Sequence, residues 1–246
     1  MFQQDNKNSE EYVMNHIKKG TTTCALTCKD GVVLAADTRA SAGFFIVDRN
    51  VMKIQKIDEH LGMTIAGGVA DAQNLVDLLR YNANLYRLSN KDRLIPVKSA
   101  ARLCSNVLFN QRYYPYYVQI IMAGFDKNGD GDGSQIYNID LFGSMTTEKF
   151  ISTGSGSPVA YGYLESEYKK DLGVNEAYKI AIQAIAAAIR RNSGTGDNIN
   201  AVIIDKDGYR ELSKEVKEAV QAVYWIIWLL SRLLLFKLST PTFIPK

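Results

Sequence analysis

Thr21, which directly follows Gly20, is the residue in this sequence best suited to nucleophilic chemistry. A glycine gives little steric protection to the peptide bond after it, so the Thr21 hydroxyl could attack that bond and free Thr21 as a new N-terminus. The freed α-amino group, with an ordinary pKa of about 8, could then accept the hydroxyl proton directly or through water. Taken alone, a run of three threonines is more commonly an ordinary β-strand. With only His16 and His60 in the chain, a Ser-His-Asp triad and a His-rich metal centre have little support.

The composition indicates one folded domain with appendages. At 246 residues, with 46% hydrophobic and 10% aromatic residues, the chain can bury a sizeable core, which excludes disordered and collagen-like classes. A formal net charge of +3 is too small to indicate a nucleic acid or an acidic membrane as partner. Three cysteines cannot form a complete set of internal disulfides, so we expect a reducing, cytoplasmic location.

A β-hairpin is predicted to position Thr21. The strand TTTCALTC is followed by a turn signal at 29–31 and a second strand, VVLAADT. With the turn centred on Asp30 and Gly31, Thr21 would lie opposite Ala40 and close to Asp37. The hairpin therefore predicts a carboxylate near the candidate nucleophile.

The later elements predict two sheets between helical layers rather than a repeated βαβ pattern. A Gly-rich loop at 152–157 leads to a helix start at Pro158, where a proline is well tolerated. The other predicted helices are 71–89, 97–110 and 175–191, and the other strands are 44–47, 51–57, 63–66, 117–125, 134–141 and 200–205.

Two features that imitate metal sites are interpreted as structural. Residues 126–132 resemble the first half of a calcium loop, but the twelfth position is Tyr137, where a bidentate glutamate is required. Cys24 and Cys28 share one face of a strand, and without a second pair they are expected to pack in the core. No metal and no cofactor is predicted.

Six separated motifs give the sequence a specific resemblance over residues 18–210. They occur in the order KGTTT, AADTRAS, MKIQKID, MTIAGGVADAQ, STGSGSP and RRNSGTG. The chain resembles the β subunits of the proteasome, most closely the archaeal type, which are N-terminal-nucleophile threonine proteases. The resemblance implies an α+β fold in a four-layer αββα sandwich. It also implies a propeptide at 1–20 removed by autolysis, a peptidase domain at 21–212, and β rings of seven subunits stacked with α-subunit rings.

The resemblance also implies roles for five residues. Thr21 would supply the nucleophile and, after cleavage at Gly20, the base. Asp37 would pair with Lys53, whose ammonium favours loss of the hydroxyl proton. The backbone N–H of Gly67 would donate to the oxyanion. Ser155 would hydrogen-bond the threonine amine. Four small or apolar residues match the specificity pocket and predict cleavage after hydrophobic residues: Ala40, Val51, Ile65 and Val69.

Position 192 departs from the family pattern. The family usually has Arg-Asp here, whereas this chain has Arg191-Asn192, which keeps the side-chain shape and loses the charge. Thr195 retains the next family hydroxyl, and no geometric argument lets Asp197 replace the missing carboxylate. The sequence therefore leaves three functions open. The first is a catalytic subunit that degrades unfolded proteins, which an unfolding ATPase supplies through the α rings. The second is a non-catalytic or weakly active subunit of the same particle, and the third is a different amidase acting on a small molecule.

The C-terminal segment 213–246 is a tail of uncertain role. Residues 219–236 are apolar all round and are interrupted by Gln221, Ser231 and Arg232, which makes them borderline for a membrane helix. The family that the chain resembles has no membrane span, so no membrane contact is predicted. The alternative is a helix that docks on a neighbouring subunit.

Overall fold

The computed structural model describes residues 20–127 and 133–222, and within them twelve strands and four complete helices. The strands are β1 (Thr23–Cys28), β2 (Gly31–Asp37), β3 (Ala40–Ala42), β4 (Phe45–Asp48), β5 (Ile54–Asp58), β6 (Leu61–Gly67), β7 (Val118–Phe125), β8 (Ser134–Ile139), β9 (Met145–Thr147), β10 (Phe150–Thr153), β11 (Ile199–Asp205) and β12 (Gly208–Glu211). The helices are α1 (Val69–Ser89), α2 (Val97–Asn110), α3 (Ser157–Glu167) and α4 (Val174–Arg191). A further helical segment covers residues 214–222.

Two antiparallel five-stranded sheets form the centre of the molecule. The first sheet has the order β10-β1-β2-β11-β12, and the second has the order β5-β6-β7-β8-β9. Strands β3 and β4 form a separate two-stranded sheet. Helices α3 and α4 pack on the first sheet, and α1 and α2 pack on the second. The four-layer α+β sandwich expected from the sequence is therefore confirmed.

Both faces of the first sheet are buried, one by helices and the other by the second sheet. Successive side chains of a strand point to opposite faces and therefore enter different cores. On β1, Leu26 faces α3 and α4, whereas its neighbour Ala25 faces the second sheet. Three hydrophobic cores result, one between the sheets and one under each helical layer. The core between the sheets consists of Ala25, Val32, Leu34, Ala36, Ile54, Ile121, Ala123, Ile136, Ile151, Val202 and Ile204.

The register of the first hairpin differs from the prediction. Cys28 pairs with Gly31, and Thr22 rather than Thr21 lies beside Asp37, whose backbone N–H donates to the Thr22 carbonyl at 3.1 Å. The turn consists of Lys29 and Asp30, so the predicted pairing is displaced by two residues. Gly31 pairs with Cys28 of β1 and with Asp205 of β11, and a Cβ there would lie 2.4 Å from the Ile204 carbonyl oxygen, so this position of β2 requires a glycine. The neighbouring strand therefore set the register.

All three cysteines lie in the cores, which confirms the prediction made for Cys24 and Cys28. Cys24 and Cys28 belong to the core under α3 and α4, and Cys104 belongs to the core under α1 and α2. Burial raises the pKa of Cys24 to about 12 and that of Cys28 to about 11. These thiols are therefore protonated at neutral pH and are not nucleophiles.

Several sequence-based interpretations fall on residues outside the described ranges. These are residues 1–19 of the predicted propeptide, residues 128–132 of the calcium-like loop, and residues 223–246 of the apolar tail. Strands β7 and β8 pair from Phe125 with Ser134 onward, as expected if the loop joins two strands. Among the described residues, no helix is long and apolar enough to cross a membrane, and no cluster of potential ligands could hold a metal ion.

Candidate active site

Thr21 lies two residues before the start of β1 and is only 5% exposed. Its Oγ1 donates a hydrogen bond to the carbonyl oxygen of Gly20 at 2.7 Å, so the hydroxyl lies beside the Gly20–Thr21 peptide bond. Since the chain continues through Gly20, Thr21 N is a peptide amide, and it donates to Ser155 Oγ at 3.3 Å. The hydroxyl and the nitrogen of Thr21 thus face two different partners.

Gly20 is packed so closely that no side chain fits at this position. A Cβ on Gly20 would lie 2.1 Å from the Cα of Gly194, and a Cβ on Gly194 would lie 2.5 Å from the Cα of Gly20. The Gly20 N–H donates to Ser41 Oγ at 2.9 Å. The glycine before Thr21 is therefore required by backbone-to-backbone contact, in addition to leaving the peptide bond unprotected.

Asp37 and Lys53 form a buried ion pair next to Thr21. Lys53 Nζ donates to Asp37 Oδ1 at 2.8 Å and to the Arg39 carbonyl oxygen at 2.6 Å. The same Asp37 oxygen accepts the Thr22 N–H at 2.8 Å, which ties the carboxylate to the residue after the nucleophile. Burial lowers the pKa of Lys53 below its ordinary 10.5, and the Asp37 carboxylate opposes this effect.

Asp37 also connects this pair to the loop after α4. Its second oxygen accepts the backbone N–H groups of Arg39 at 3.2 Å and of Gly196 at 3.0 Å. Asp37 is completely buried, and its carboxylate therefore has backbone donors as well as the Lys53 ammonium. These contacts hold both the ion pair and the loop at 193–197 in place.

A chain of side-chain hydrogen bonds lies on the other side of Thr21. Asn192 Oδ1 accepts from Ser155 Oγ at 3.0 Å and from Thr195 Oγ1 at 3.0 Å. Thr195 Oγ1 in turn lies 2.7 Å from the Thr22 hydroxyl oxygen. Asn192 therefore contacts the residue to which the Thr21 nitrogen donates. The sequence could not show that Thr22 belongs to this hydrogen-bond chain, because residues 22 and 195 lie on segments far apart in the sequence.

Asp197 does not take the place of a carboxylate at position 192. Its two oxygens pair with Arg39 Nε at 2.8 Å and with Arg49 at 3.3 Å. The Arg39 hydrogen bond lowers the pKa of the Asp197 carboxyl below its ordinary range. Asp197 is thus an anion engaged by two arginines, and Asn192 is the side chain next to Ser155.

Gly67 closes β6 at the point where α1 begins. Its φ of +125° is accessible to glycine, and a Cβ would lie 2.1 Å from the Tyr117 carbonyl oxygen. The next residue, Gly68, donates its N–H to the same oxygen at 2.7 Å. Gly67 lines the same pocket as Thr21 and Lys53. The backbone here can therefore approach a bound substrate closely.

A pocket of about 480 Å³ opens beside Thr21. All four residues predicted for the specificity pocket line it: Ala40, Val51, Ile65 and Val69. The sequence interpretation missed a polar part of the wall, formed by Gln55, Gln73, Asp77 and Arg80. The last three lie on the same face of α1 as Val69, at helical spacing, so the period of α1 was the signal that could have indicated them.

Every residue predicted for the site therefore lines the pocket beside Thr21 or belongs to the hydrogen-bond network around it. Thr21, Lys53 and Gly67 line the pocket, Asp37 holds Lys53, and Ser155 accepts from the Thr21 nitrogen and donates to Asn192. The arrangement contains a hydroxyl, a nearby cation, a backbone suited to close approach and an apolar pocket. This set can support nucleophilic attack on a carbonyl carbon.

Comparison with known proteins identifies the family. The model of the family described as proteasome subunit matches residues 17–204. Proteasome subunit beta 2 of Nitrosopumilus maritimus (strain SCM1) is 54% identical over 213 residues, which cover 87% of this chain and 97% of the relative. Proteasome subunit beta 2 of Cenarchaeum symbiosum (strain A) is 52% identical, with 88% and 99% covered. Proteasome subunit beta of Methanothermobacter thermautotrophicus is 48% identical, with 80% and 92% covered. The chain therefore belongs to the proteasome subunit family and is a β-type member of it.

Proposed function

We propose that this chain is the catalytic β subunit of a 20S-type proteasome core and hydrolyses peptide bonds of unfolded proteins with Thr21 as nucleophile. The observation that carries the proposal is the position of the Thr21 hydroxyl, 2.7 Å from the Gly20 carbonyl oxygen, with its nitrogen directed at Ser155. The buried Lys53 ammonium and the apolar pocket beside the same residue support it.

Maturation would begin with Thr21 acting on its own chain. Oγ1 attacks the carbonyl carbon of Gly20, and the hydroxyl proton passes to the Thr21 nitrogen as the peptide C–N bond breaks. The acyl group is thereby transferred from that nitrogen to Oγ1 as an ester. Water then hydrolyses that ester and releases residues 1–20. The nitrogen that now donates to Ser155 as an amide becomes a free α-amine, which is the base that a chain with two histidines otherwise lacks.

Peptide hydrolysis would use the same atoms on a bound substrate. The Thr21 amine accepts the hydroxyl proton, and Oγ1 attacks the substrate carbonyl carbon. The Gly67 N–H donates to the negative oxygen of the tetrahedral intermediate. The C–N bond breaks with the proton passing to the leaving amine, and water hydrolyses the acyl ester. Lys53 favours the step because its charge stabilises the developing negative charge on Oγ1.

The pocket supports cleavage after hydrophobic residues. Ala40, Val51, Ile65 and Val69 offer small or apolar surface next to Thr21. An apolar side chain of the substrate would lose its contact with water there, which favours binding by about 25 cal/mol per Å². The polar wall contributed by Gln55 and Arg80 would contact the end of a longer side chain.

The working particle would be an assembly in the cytoplasm. β rings of seven subunits, made of this chain alone or together with other β subunits, would stack with α-subunit rings. An unfolding ATPase would deliver polypeptide through the α rings. In this arrangement residues 1–20 are the propeptide, 21–212 the peptidase domain and 213–246 the C-terminal tail.

Mass spectrometry of the assembled particle tests the proposal. A working nucleophile yields a chain that begins at Thr21, whereas an intact chain from Met1 in assembled particles would refute it. Thr21→Ala should abolish both propeptide release and peptide hydrolysis while leaving ring assembly intact. Lys53→Ala should be nearly as damaging. Lys56→Ala is the matched control, because Lys56 is half-exposed and pairs with Glu59 on the surface.

Asn192 supports a second candidate function, a non-catalytic or weakly active subunit of the same particle. The amide keeps the hydrogen bonds to Ser155 and Thr195 but has no charge. A chain beginning at Met1 in fully assembled rings would favour this candidate. Seven-fold rings seen by electron microscopy would exclude the third class, a small-molecule amidase.

A further inference from the structure

We infer that Ser41 is a positioning residue for propeptide release, which holds Gly20 in place while Thr21 attacks its carbonyl carbon. The inference rests on the proposed role of Thr21 as nucleophile. The contact that carries it is the hydrogen bond from the Gly20 N–H to Ser41 Oγ at 2.9 Å. Because Gly20 would leave with the propeptide, this contact belongs to the uncleaved chain.

The burial of Ser41 differs from that of the hairpin to which it belongs. Of residues 40–48, which contain β3 and β4, Ser41 alone is buried, with 6% of its surface exposed. Within residues 20–127 and 133–222, its hydroxyl has no hydrogen-bond partner other than the Gly20 N–H. Because a buried hydroxyl without a partner is costly, this side chain is stabilised in its place by Gly20.

Three hydrogen bonds restrain the backbone around the bond that would be cleaved. Two act on the Gly20–Thr21 peptide group itself, whose oxygen accepts from Thr21 Oγ1 and whose N–H donates to Ser155. The bond to Ser41 instead holds the N–H on the other side of the Gly20 Cα. It therefore restrains the rotation about the Cα–C bond of Gly20, which a glycine otherwise leaves unusually free. Ser41 thereby limits the orientations that the Gly20 carbonyl can take toward Oγ1.

A substrate residue with a side chain cannot take the place of Gly20. A Cβ at Gly20 would lie 2.1 Å from the Gly194 Cα, whereas an apolar substrate side chain would enter the pocket lined by Ala40 and Val51. The backbone of such a residue must lie differently from that of Gly20, so it cannot repeat the contact with Ser41 in the same geometry. Ser41 should therefore matter for propeptide release and much less for hydrolysis by the mature particle.

The test compares two rates in assembled particles. Propeptide loss is followed over time by mass spectrometry, and kcat/KM for a peptide is measured once every chain begins at Thr21. Ser41→Ala should slow propeptide loss about tenfold, the effect of losing one buried hydrogen bond, and should change kcat/KM less than about twofold. A purely structural role would lower both rates together, so the ratio of the two rates decides between the roles.

Ser152→Ala is the matched control. Ser152 is 5% exposed, and its hydroxyl donates to the Thr23 carbonyl oxygen at 2.8 Å, so the same change removes a buried hydrogen bond that does not involve Gly20. The ratio of the two rates should keep its parent value in this variant. Equal slowing of both rates by Ser41→Ala would show a packing role and overturn the inference, as would propeptide loss at the parent rate.

If Ser41→Ala does not assemble, Ser41→Cys gives the decision, because a thiol nearly keeps the size of the side chain but is a weaker hydrogen-bond acceptor. It should slow propeptide loss about threefold with kcat/KM unchanged, and an unchanged ratio would overturn the inference. Failure of the inference is distinguishable from failure of the proposed function. In the first case the parent chain begins at Thr21 and hydrolyses peptides, but the Ser41 variants leave the ratio of rates unchanged. In the second case the parent itself does neither.

Discussion

Replacing Asn192 by aspartate would add one negative charge near Thr21 with almost no change in side-chain shape. Asn192 Oδ1 lies 3.0 Å from Ser155 Oγ, which lies 3.3 Å from Thr21 N, so the charge would be within about 6 Å of that nitrogen. Ser155 is exposed and Asn192 half-buried, so the effective dielectric lies between about 20 and 80. The Coulomb energy with a protonated amine is then about 0.7–3 kcal/mol.

This energy would act on the step in which the Thr21 amine takes the hydroxyl proton. Stabilising the protonated amine by that amount should speed hydrolysis by about 3- to 100-fold where the free amine is neutral. The upper limit of this range, about 10²-fold, equals the lower limit of ordinary general acid–base assistance, as expected for a carboxylate that supports the base. The carboxylate should also raise the pKa of the Thr21 amine, so the acid limb of the pH profile of kcat/KM moves to higher pH. The gain should therefore increase as the pH rises.

The assay measures kcat/KM for a peptide with a hydrophobic residue before the cleaved bond, together with the rate of propeptide loss, between about pH 6 and pH 10. The choice of cleavage site should not change, because position 192 does not line the pocket. Asn198→Asp is the control, since it adds the same charge at an exposed position of the neighbouring loop. An Asn192→Asp enzyme that is unchanged or slower at every pH would refute the electrostatic reasoning and leave position 192 a structural role.

Three further predictions concern other parts of the site. Gly194→Ala should slow propeptide release more than peptide hydrolysis by mature particles, because its Cβ would lie 2.5 Å from the Gly20 Cα only while Gly20 is attached. A time course by mass spectrometry measures propeptide release. Equal slowing of release and hydrolysis would contradict this prediction. Burial lowers the pKa of Lys53, so kcat/KM should fall at alkaline pH below 10.5. Asp37→Asn removes the anion that raises this pKa and should move that limb to still lower pH, and a limb that stays in place would argue against the role of the pair. Ile65→Ala enlarges the pocket and should raise the preference for bulky over small apolar residues by at least about tenfold; competing peptides cleaved in one mixture measure this ratio.

Local patterns in the sequence were sufficient for most of the fold. Helix α2 spans the predicted residues, and α4 begins one residue earlier than predicted, because long amphipathic periods specify helices without help from their neighbours. Strands β3, β9, β10 and β12 were not predicted, and the first two residues of the predicted loop at 152–157 belong to β10. They have three or four residues and lie at the edges of their sheets, so only the strand beside each one defines it. The hairpin register was displaced for a similar reason, since β11 requires Gly31 within β2.

For the candidate site, the sequence by itself determined the types of residue and the family, through motifs that retain their order and spacing. It also showed that asparagine stands where the family usually has aspartate. Only the tertiary structure decided how these residues meet, because Thr21 and Asn192 lie on segments far apart in the chain and come together when α4 packs on the first sheet. The backbone contact between Gly20 and Gly194 depends on that packing, as does the bond between Thr22 and Thr195. Hydrogen bonds form over about 3 Å, and a sequence does not specify distances on that scale between segments that only the completed fold brings together.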